Sequence, residues 1–310
     1  MRQENIFTMK SLYRENFTVT GFRFGTGAHT ACIIGSLRGN EYQQIYACSH
    51  LVKKLRHLEE EGRIADGQEI LVIPCGNPFS VNIKKRFWGI DSTDVNRMFP
   101  GYDLGETTQR IAYGLFAAIK GYRYGIQFAS FYRPGSFVPQ VRLMKTGFED
   151  VALAREFGMP YVILHHPRPF DTTTLNYNWQ VFGTKAFSLY TTSTSAIDTG
   201  SAEQAVRAIL HFLARQGVIR YHGDAGFVSR VVETTDMITV RTTSAGFFRP
   251  RVAAGYRVER GEVLAHIKDP YLAETNEEIR APLDGTVAFL TSEPLVGQST
   301  TVLKLIPEAD

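Results

Sequence analysis

Arg38 and Glu41 stand three residues apart just beyond a short apolar run, Thr30-Ala-Cys-Ile-Ile-Gly35, and a second polar string follows at Asp91-Ser-Thr-Asp94-Val-Asn96-Arg97-Met-Phe99-Pro100-Gly101. A guanidinium keeps its proton at working pH and offers no lone pair, so Arg38 is a fixed positive charge that cannot ligate a metal. At this spacing it can pair with Glu41 and offset that carboxylate. Arg97 brings a planar fork that meets a carboxylate with two hydrogen bonds. A purely structural role for the string stays open, in which Asp91 or Asp94 pairs with Arg86 and Phe99-Pro100-Gly101 makes a turn. His165 and His166 follow the apolar run Tyr161-Val-Ile-Leu164 and could face a pocket from a strand end, recruiting a metal with Glu41. Adjacent side chains point apart in an extended chain, so at most one of the two serves. Arg133 and Arg142 flank Phe137-Val-Pro139, and either could contact an anion or simply be solvated. The aromatic stretch from Phe170 to Trp179 reads as a lid over a pocket or as a cover for the core, and His29 reads as structural.

These residues need elements to hold them. Residues 30–35 form a short apolar run ending in Gly, the pattern of a buried strand. Ile45, Cys48, Leu51, Val52, Leu55 and Leu58 recur at helical spacing, with Gly62 as the stop. Glu69-Ile-Leu-Val-Ile-Pro74 is a second buried strand, and a helix over 106–120 places Ile111, Leu115, Ala118 and Ile119 inward. Tyr124–Phe131, Tyr161–Leu164 and Phe187–Tyr190 read as further strands. Ser201 and Gln204 have capping-box spacing before the apolar stripe Ala205, Val206, Ile209, Leu210 and Leu213. Alternating strands and helices over 20–220 predict an α/β domain with a mostly parallel sheet, whose ligands bind beyond the carboxyl ends of the strands. Arg38 and Glu41 fall there. From 226 onward, short β-type runs alternate with Gly and Pro turns, at Ile238–Thr242, Val263–Ile267, Gly285–Phe289 and Thr301–Leu305. The chain therefore divides into an α/β domain, residues 1–222, and a small all-β domain, residues 223–310.

The composition is ordinary for a globular chain of 310 residues, with 44% apolar and 21% charged residues. A formal net charge of +3, without a basic stripe or a recognised motif, gives no case for nucleic acid. No apolar run approaches the roughly 20 residues of a membrane helix. With no signal peptide visible at Met1-Arg-Gln-Glu-Asn5, a cytoplasmic location is expected. Cys32, Cys48 and Cys75 are scattered and without a Cys-x-x-Cys pair, so they read as reduced core residues rather than a zinc site.

The motif Gly35-Ser-Leu-Arg38-Gly39-Asn40-Glu41, together with Arg86, Asp91, Asp94, Asn96, Arg97, Phe99, Pro100 and Gly101, resembles the zinc-dependent succinylglutamate desuccinylase/aspartoacylase family, relatives of the zinc carboxypeptidases. The resemblance extends from about residue 20 to the end. It implies a zinc-carboxypeptidase-like three-layer α/β domain, with Gly255–Gly261 and Ala281–Gly285 resembling a barrel-sandwich β module. It implies N-deacylase chemistry in which His and Glu of the first motif and a second His hold zinc, and a later Glu acts as base. Mapped residue by residue, the first His position is Arg38, Glu41 is retained, and the second His position, in Gln127-Phe128-Ala129, is Ala129. The base position falls near Tyr190 or Thr191, with no acid between Asp171 and Asp198. In relatives the Asn-Arg pair holds the substrate carboxylate, which carries to Asn96 and Arg97. Arg38 then sets a positive charge where zinc would sit.

The leading expectation is a family member with a dismantled zinc site that binds an N-acyl amino acid or related carboxylate through Arg38, Glu41, Arg86, Asn96 and Arg97, without a resident cofactor. One alternative is an active amide hydrolase with a rearranged or atypical metal site, for which zinc would be required. Another is a pseudoenzyme partner of an active paralogue. A small-molecule carboxylate is the expected ligand, and a homo-oligomer or a complex with an active paralogue is the expected assembly; neither nucleic acid nor membrane is an expected partner.

Overall fold

The computed structural model describes residues 1–11, 15–224 and 226–308. Strands of the first part are β1 (Arg2–Met9), β2 (Phe17–Gly25), β3 (Gly27–Ser36), β4 (Gly67–Cys75), β5 (Tyr124–Phe128), β6 (Gly135–Phe137), β7 (Gln140–Met144), β8 (Tyr161–His165), β9 (Lys185–Tyr190) and β10 (Arg230–Glu233). Among the described residues all but β6 join one sheet, in the order β1-β2-β4-β3-β5-β9-β7-β8-β10. Pairing is parallel from β4 through β3 and β5 to β9, antiparallel between β9 and β7, and parallel again from β7 to β10. The mostly parallel sheet expected from the sequence is therefore present, with a reversal at β7.

Why these runs became central strands is visible in their alternation. Ala31 and Ile33 face one core, and Cys32 and Ile34 the other, so a continuous apolar run is buried on both faces. Helices α1 (Tyr42–Glu60) and α6 (Thr199–Arg215) cover the first face. Helices α3 (Thr107–Ile119) and α5 (Leu175–Val181) cover the second, giving three layers. Two short helices, α2 (Pro78–Asn82) and α4 (Val151–Arg155), lie in connections. The helix over 42–60 ends before Gly62, whose φ of +65° suits glycine at a helix stop. Helix α6 begins earlier than its apparent capping box: Asp198 is the cap, accepting from Ser201 N, so Ser201 lies inside the first turn. The strand expected to reach Phe131 ends at Phe128, and the hairpin of β1 and β2 was not among the expected elements.

The expected β runs of the last part are β11 (Ile238–Arg241), β14 (Val263–Lys268), β16 (Gly285–Thr291) and β18 (Thr301–Pro307). Shorter or more polar strands join them: β12 (Gly246–Pro250), β13 (Arg257–Val258), β15 (Thr275–Arg280) and β17 (Leu295–Val296). They form two antiparallel sheets around Leu264, Ile267, Val287, Leu303 and Leu305. The two parts interlock. Strand β10 adds to the large sheet beside β8, β6 pairs with β16, and Val138, Ile163, Val232, Ala288 and Ile306 pack together between them.

Candidate functional site

Arg38 and Glu41 lie in the turn between β3 and α1, at the carboxyl end of the sheet, and both are buried. Glu41 is saturated. One carboxylate oxygen accepts from the backbone N–H groups of Leu37 at 2.9 Å and Arg38 at 3.1 Å. The other accepts from Arg38 Nη1 at 3.0 Å and from the Ser130 hydroxyl. Arg38 Nε donates to both oxygens of Asp94, at 3.1 and 2.9 Å. Burial alone would lower the Arg38 pKa, but Asp94 and Glu41 outweigh it and drive it up, so the guanidinium stays charged. Arg86 completes the group, with Nη2 4.0 Å from Asp94 and its guanidinium over the exposed Tyr132 ring. Burial, and then the charge of Arg38, lower the Arg86 pKa. Asp94 thus serves Arg38 first, where the sequence had offered it to Arg86.

The second string divides between bracing and availability. Asp91 accepts from Thr93 N and the Thr108 hydroxyl, and holds its own loop. Asn96 Oδ1 accepts from Leu175 N at 3.1 Å. Arg97 Nη1 donates to Phe170 O at 2.7 Å and Asp171 at 3.0 Å. Both therefore fasten the 168–175 segment. Among the described residues Arg38 Nη2, Arg97 Nη2 and Asn96 Nδ2 have no protein hydrogen-bond partner, and none is a fully buried atom.

The remaining candidates fall elsewhere. His165 ends β8, which runs opposite to β3 because the sheet reverses at β7, so its strand end points away from Glu41. The expected partnership with Glu41 is not formed. His165 Nε2 instead meets Asp171 at 3.0 Å, and Nδ1 lies 3.5 Å from the Thr234 hydroxyl. Burial lowers the His165 pKa, leaving a neutral ring. Burial would raise Asp171, but hydrogen bonds from His165, Arg168 N and Arg97 prevail and hold it low. His166 points apart and meets Glu233. His29 stacks on Tyr122, a structural place. The 170–179 stretch folds partly as α5, with Trp179 fully buried in the core, so it is largely a cover. Thr191 donates to Ser193 O, and Asp198 caps α6.

Ser130 was missed by sequence reasoning, as was the polar row that Arg142, already a candidate anion contact, forms with Gln127 and Ser188. Gln127, Ser188 and Arg142 are cross-strand neighbours on β5, β9 and β7. Their strands alternate, apolar residues facing one core and these facing the other side. That alternation was the available signal. Arg142 Nε is buried without a partner and the guanidinium lies over Tyr190.

Zinc takes thiolate, neutral imidazole or carboxylate donors. Beside Glu41, Ala129 offers no side-chain donor and Arg38 offers only protons. Burial pushes the Cys75 thiol up to about 11, so it is not a thiolate. Among the described residues no group of three His, Cys, Asp or Glu side chains could hold a metal ion. The donor set does not fit the group implied by the resemblance.

A model of the succinylglutamate desuccinylase/aspartoacylase catalytic domain matches residues 28–215. The chain is 26% identical over 302 residues to an N-alpha-acetyl-L-2,4-diaminobutyric acid deacetylase of Halomonas elongata, covering 92% of this chain and 83% of that protein. A succinylglutamate desuccinylase/aspartoacylase structure from Rhodobacter sphaeroides superposes with a TM-score of 0.77 at 21% identity, over 95% of this chain and 90% of the other. A product-bound ectoine utilization protein from Ruegeria pomeroyi gives a TM-score of 0.77 at 19% identity, over 94% and 89%. The fold is shared with these structures, and the catalytic-domain match spans more than half of the residues; the chain belongs to the succinylglutamate desuccinylase/aspartoacylase family.

Proposed function

We propose that this family member binds an N-acyl amino acid, or a related small carboxylate, without zinc-dependent hydrolysis. The observation that carries the reading is the saturation of Glu41 by Arg38, Ser130 and two backbone N–H groups, with an arginine at the position the family gives to a zinc-bound histidine. A positive guanidinium replaces the metal's charge locally while supplying neither acidified water nor an open coordination position. Arg38 Nη2, Arg97 Nη2 and Asn96 Nδ2 supply donors for the ligand's carboxylate.

The alternative is amide hydrolysis by a rearranged site, favoured by the deacetylase name of the Halomonas relative. The discriminating experiment combines metal analysis of untagged protein, purified without chelators, with calorimetric titration of N-acetyl amino acids and an assay for free acetate. Binding without turnover, in protein carrying only traces of metal, supports the proposal. Stoichiometric metal that disappears in Glu41→Ala, together with acetate release, overturns it.

A further inference from the structure

Arg97 is held along one edge of its guanidinium. Its Nη1 donates to Phe170 O at 2.7 Å and to Asp171 Oδ1 at 3.0 Å, and the group lies 5.1 Å from the Phe170 ring centroid. Among the described residues Nε and Nη2, which together form the other two-donor edge of the fork, have no protein hydrogen-bond partner, and neither is a fully buried atom. Joining the two segments does not need this guanidinium. Leu175 N already donates to Asn96 Oδ1 at 3.1 Å and Phe99 N to Thr173 O at 3.0 Å, so residues 95–99 and 168–175 are laced together without it.

Asp171 is itself held. Its buried carboxylate accepts at Oδ2 from Arg168 N at 3.0 Å, and the same oxygen lies 3.0 Å from His165 Nε2. An ionised carboxylate only accepts, so the Nε2 of the neutral ring carries the proton. The bare Nδ1 then accepts from the Thr234 hydroxyl at 3.5 Å. Capping the 168–171 turn takes only the Arg168 N–H; the imidazole adds a second donor to that oxygen, which restrains the carboxylate and leaves Oδ1 turned to Arg97. The contacts therefore run from the end of β8 through His165 and Asp171 to Arg97. Fixing an arginine before a ligand arrives removes rotamer freedom that binding would otherwise have to freeze.

We propose that His165 is a positioning residue for ligand recognition: its Nε2–H holds Asp171, Asp171 and the Phe170 carbonyl hold Arg97 Nη1, and the Nε and Nη2 edge of Arg97 is thereby fixed to meet the ligand's carboxylate side-on. The role in recognition rests on the carboxylate-binding reading above. The holding of Arg97 by His165 and Asp171 stands apart from that reading and can be measured without a ligand.

His165→Phe keeps a ring and removes the donor, whereas His165→Gln keeps an N–H donor and removes the ring. Both variants and the full-length parent are titrated calorimetrically at neutral pH with N-acetyl-L-alanine and with its uncharged counterpart, N-acetyl-L-alaninamide. The parent should prefer the acid. His165→Phe should bind the acid about tenfold more weakly and the amide as the parent does, and His165→Gln should stay within about twofold of the parent for both. Acid binding undiminished in His165→Phe overturns the proposal. So does an equal loss in His165→Gln, which would make the ring a packing element, or a loss that falls on both ligands alike. The ligand-free measurement is heteronuclear NMR of the Arg97 Nε–H, assigned by its disappearance in Arg97→Lys. A sharp resonance in the parent and in His165→Gln that broadens in His165→Phe is expected; one that stays sharp in His165→Phe overturns the proposal. A parent that binds neither compound, or both equally, refutes the carboxylate reading, and the Nε–H resonance then decides the positioning by itself. Melting controls for misfolding, and His165→Leu takes the place of a phenylalanine variant that fails to fold.

Discussion

Replacing Arg38 by methionine keeps most of the apolar stem and deletes the charge between two carboxylates. The side chains of Arg38, Glu41 and Asp94 are 4%, 1% and 10% exposed, so little water can take the guanidinium's place. Removing one member of a buried ion pair costs about 3–5 kcal/mol, because the partner is left uncompensated. Two features limit the loss. Glu41 keeps its bonds from Leu37 N, residue 38 N and Ser130. Arg86, already 4.0 Å from Asp94 and now free of repulsion from Arg38, can close on it. The expected cost is near the lower end, about 3 kcal/mol. With an unfolding entropy of about 2.1 cal/mol/K per residue, that lowers the melting temperature of a chain this long by about 5 °C. The assay is calorimetric melting of both proteins at neutral pH and again near pH 4.5. An unpaired carboxylate has its folded pKa raised, so the folded variant binds protons more readily than its unfolded chain, and the deficit shrinks as the pH falls. A variant that melts with the parent at neutral pH, or a deficit unchanged in acid, refutes the charge assignment at this cluster.

Three further outcomes follow from the geometry. Because His165 is held neutral below its usual value of 6.5, the unfolded chain takes up the proton first; melting temperature should fall as the pH drops below about 6.5, and His165→Gln should flatten that fall, as measured by pH-dependent melting. Asp171, held low, adds a separate loss only below the usual aspartate range, near 3.8, so the two phases are distinguishable. The double substitution Arg38→His, Ala129→His gives Glu41 two imidazole neighbours, and elemental analysis should show bound zinc approaching about one equivalent where the parent shows traces. Trp179→Ala empties a fully buried site that packs over Gly125 and should cost about 3–5 kcal/mol in denaturant unfolding.

The family, the α/β class and most central elements could be read from the chain, because they depend on local pattern. Continuous apolar runs such as 31–34 can be buried on both faces only within a covered sheet, and the 42–60 helix announces itself by its period and by Gly62. Arg38 and Glu41 were legible as a pair because they stand at i and i+3 in a tight turn. Distant partners were not legible. That Asp94 serves Arg38, that Ser130 completes Glu41, and that Arg97 meets Asp171 each depend on loops from different strands arriving at one place. The reversal of the sheet at β7 was equally invisible, since strand direction leaves no trace in a short alternating segment, and it alone carries His165 away from Glu41. The same reversal sets Arg142 beside Ser188. Residue types and their local spacing therefore determined which chemistry was at hand; only the tertiary structure decided which charges are neutralised and which, among the described residues, lack a carboxylate partner.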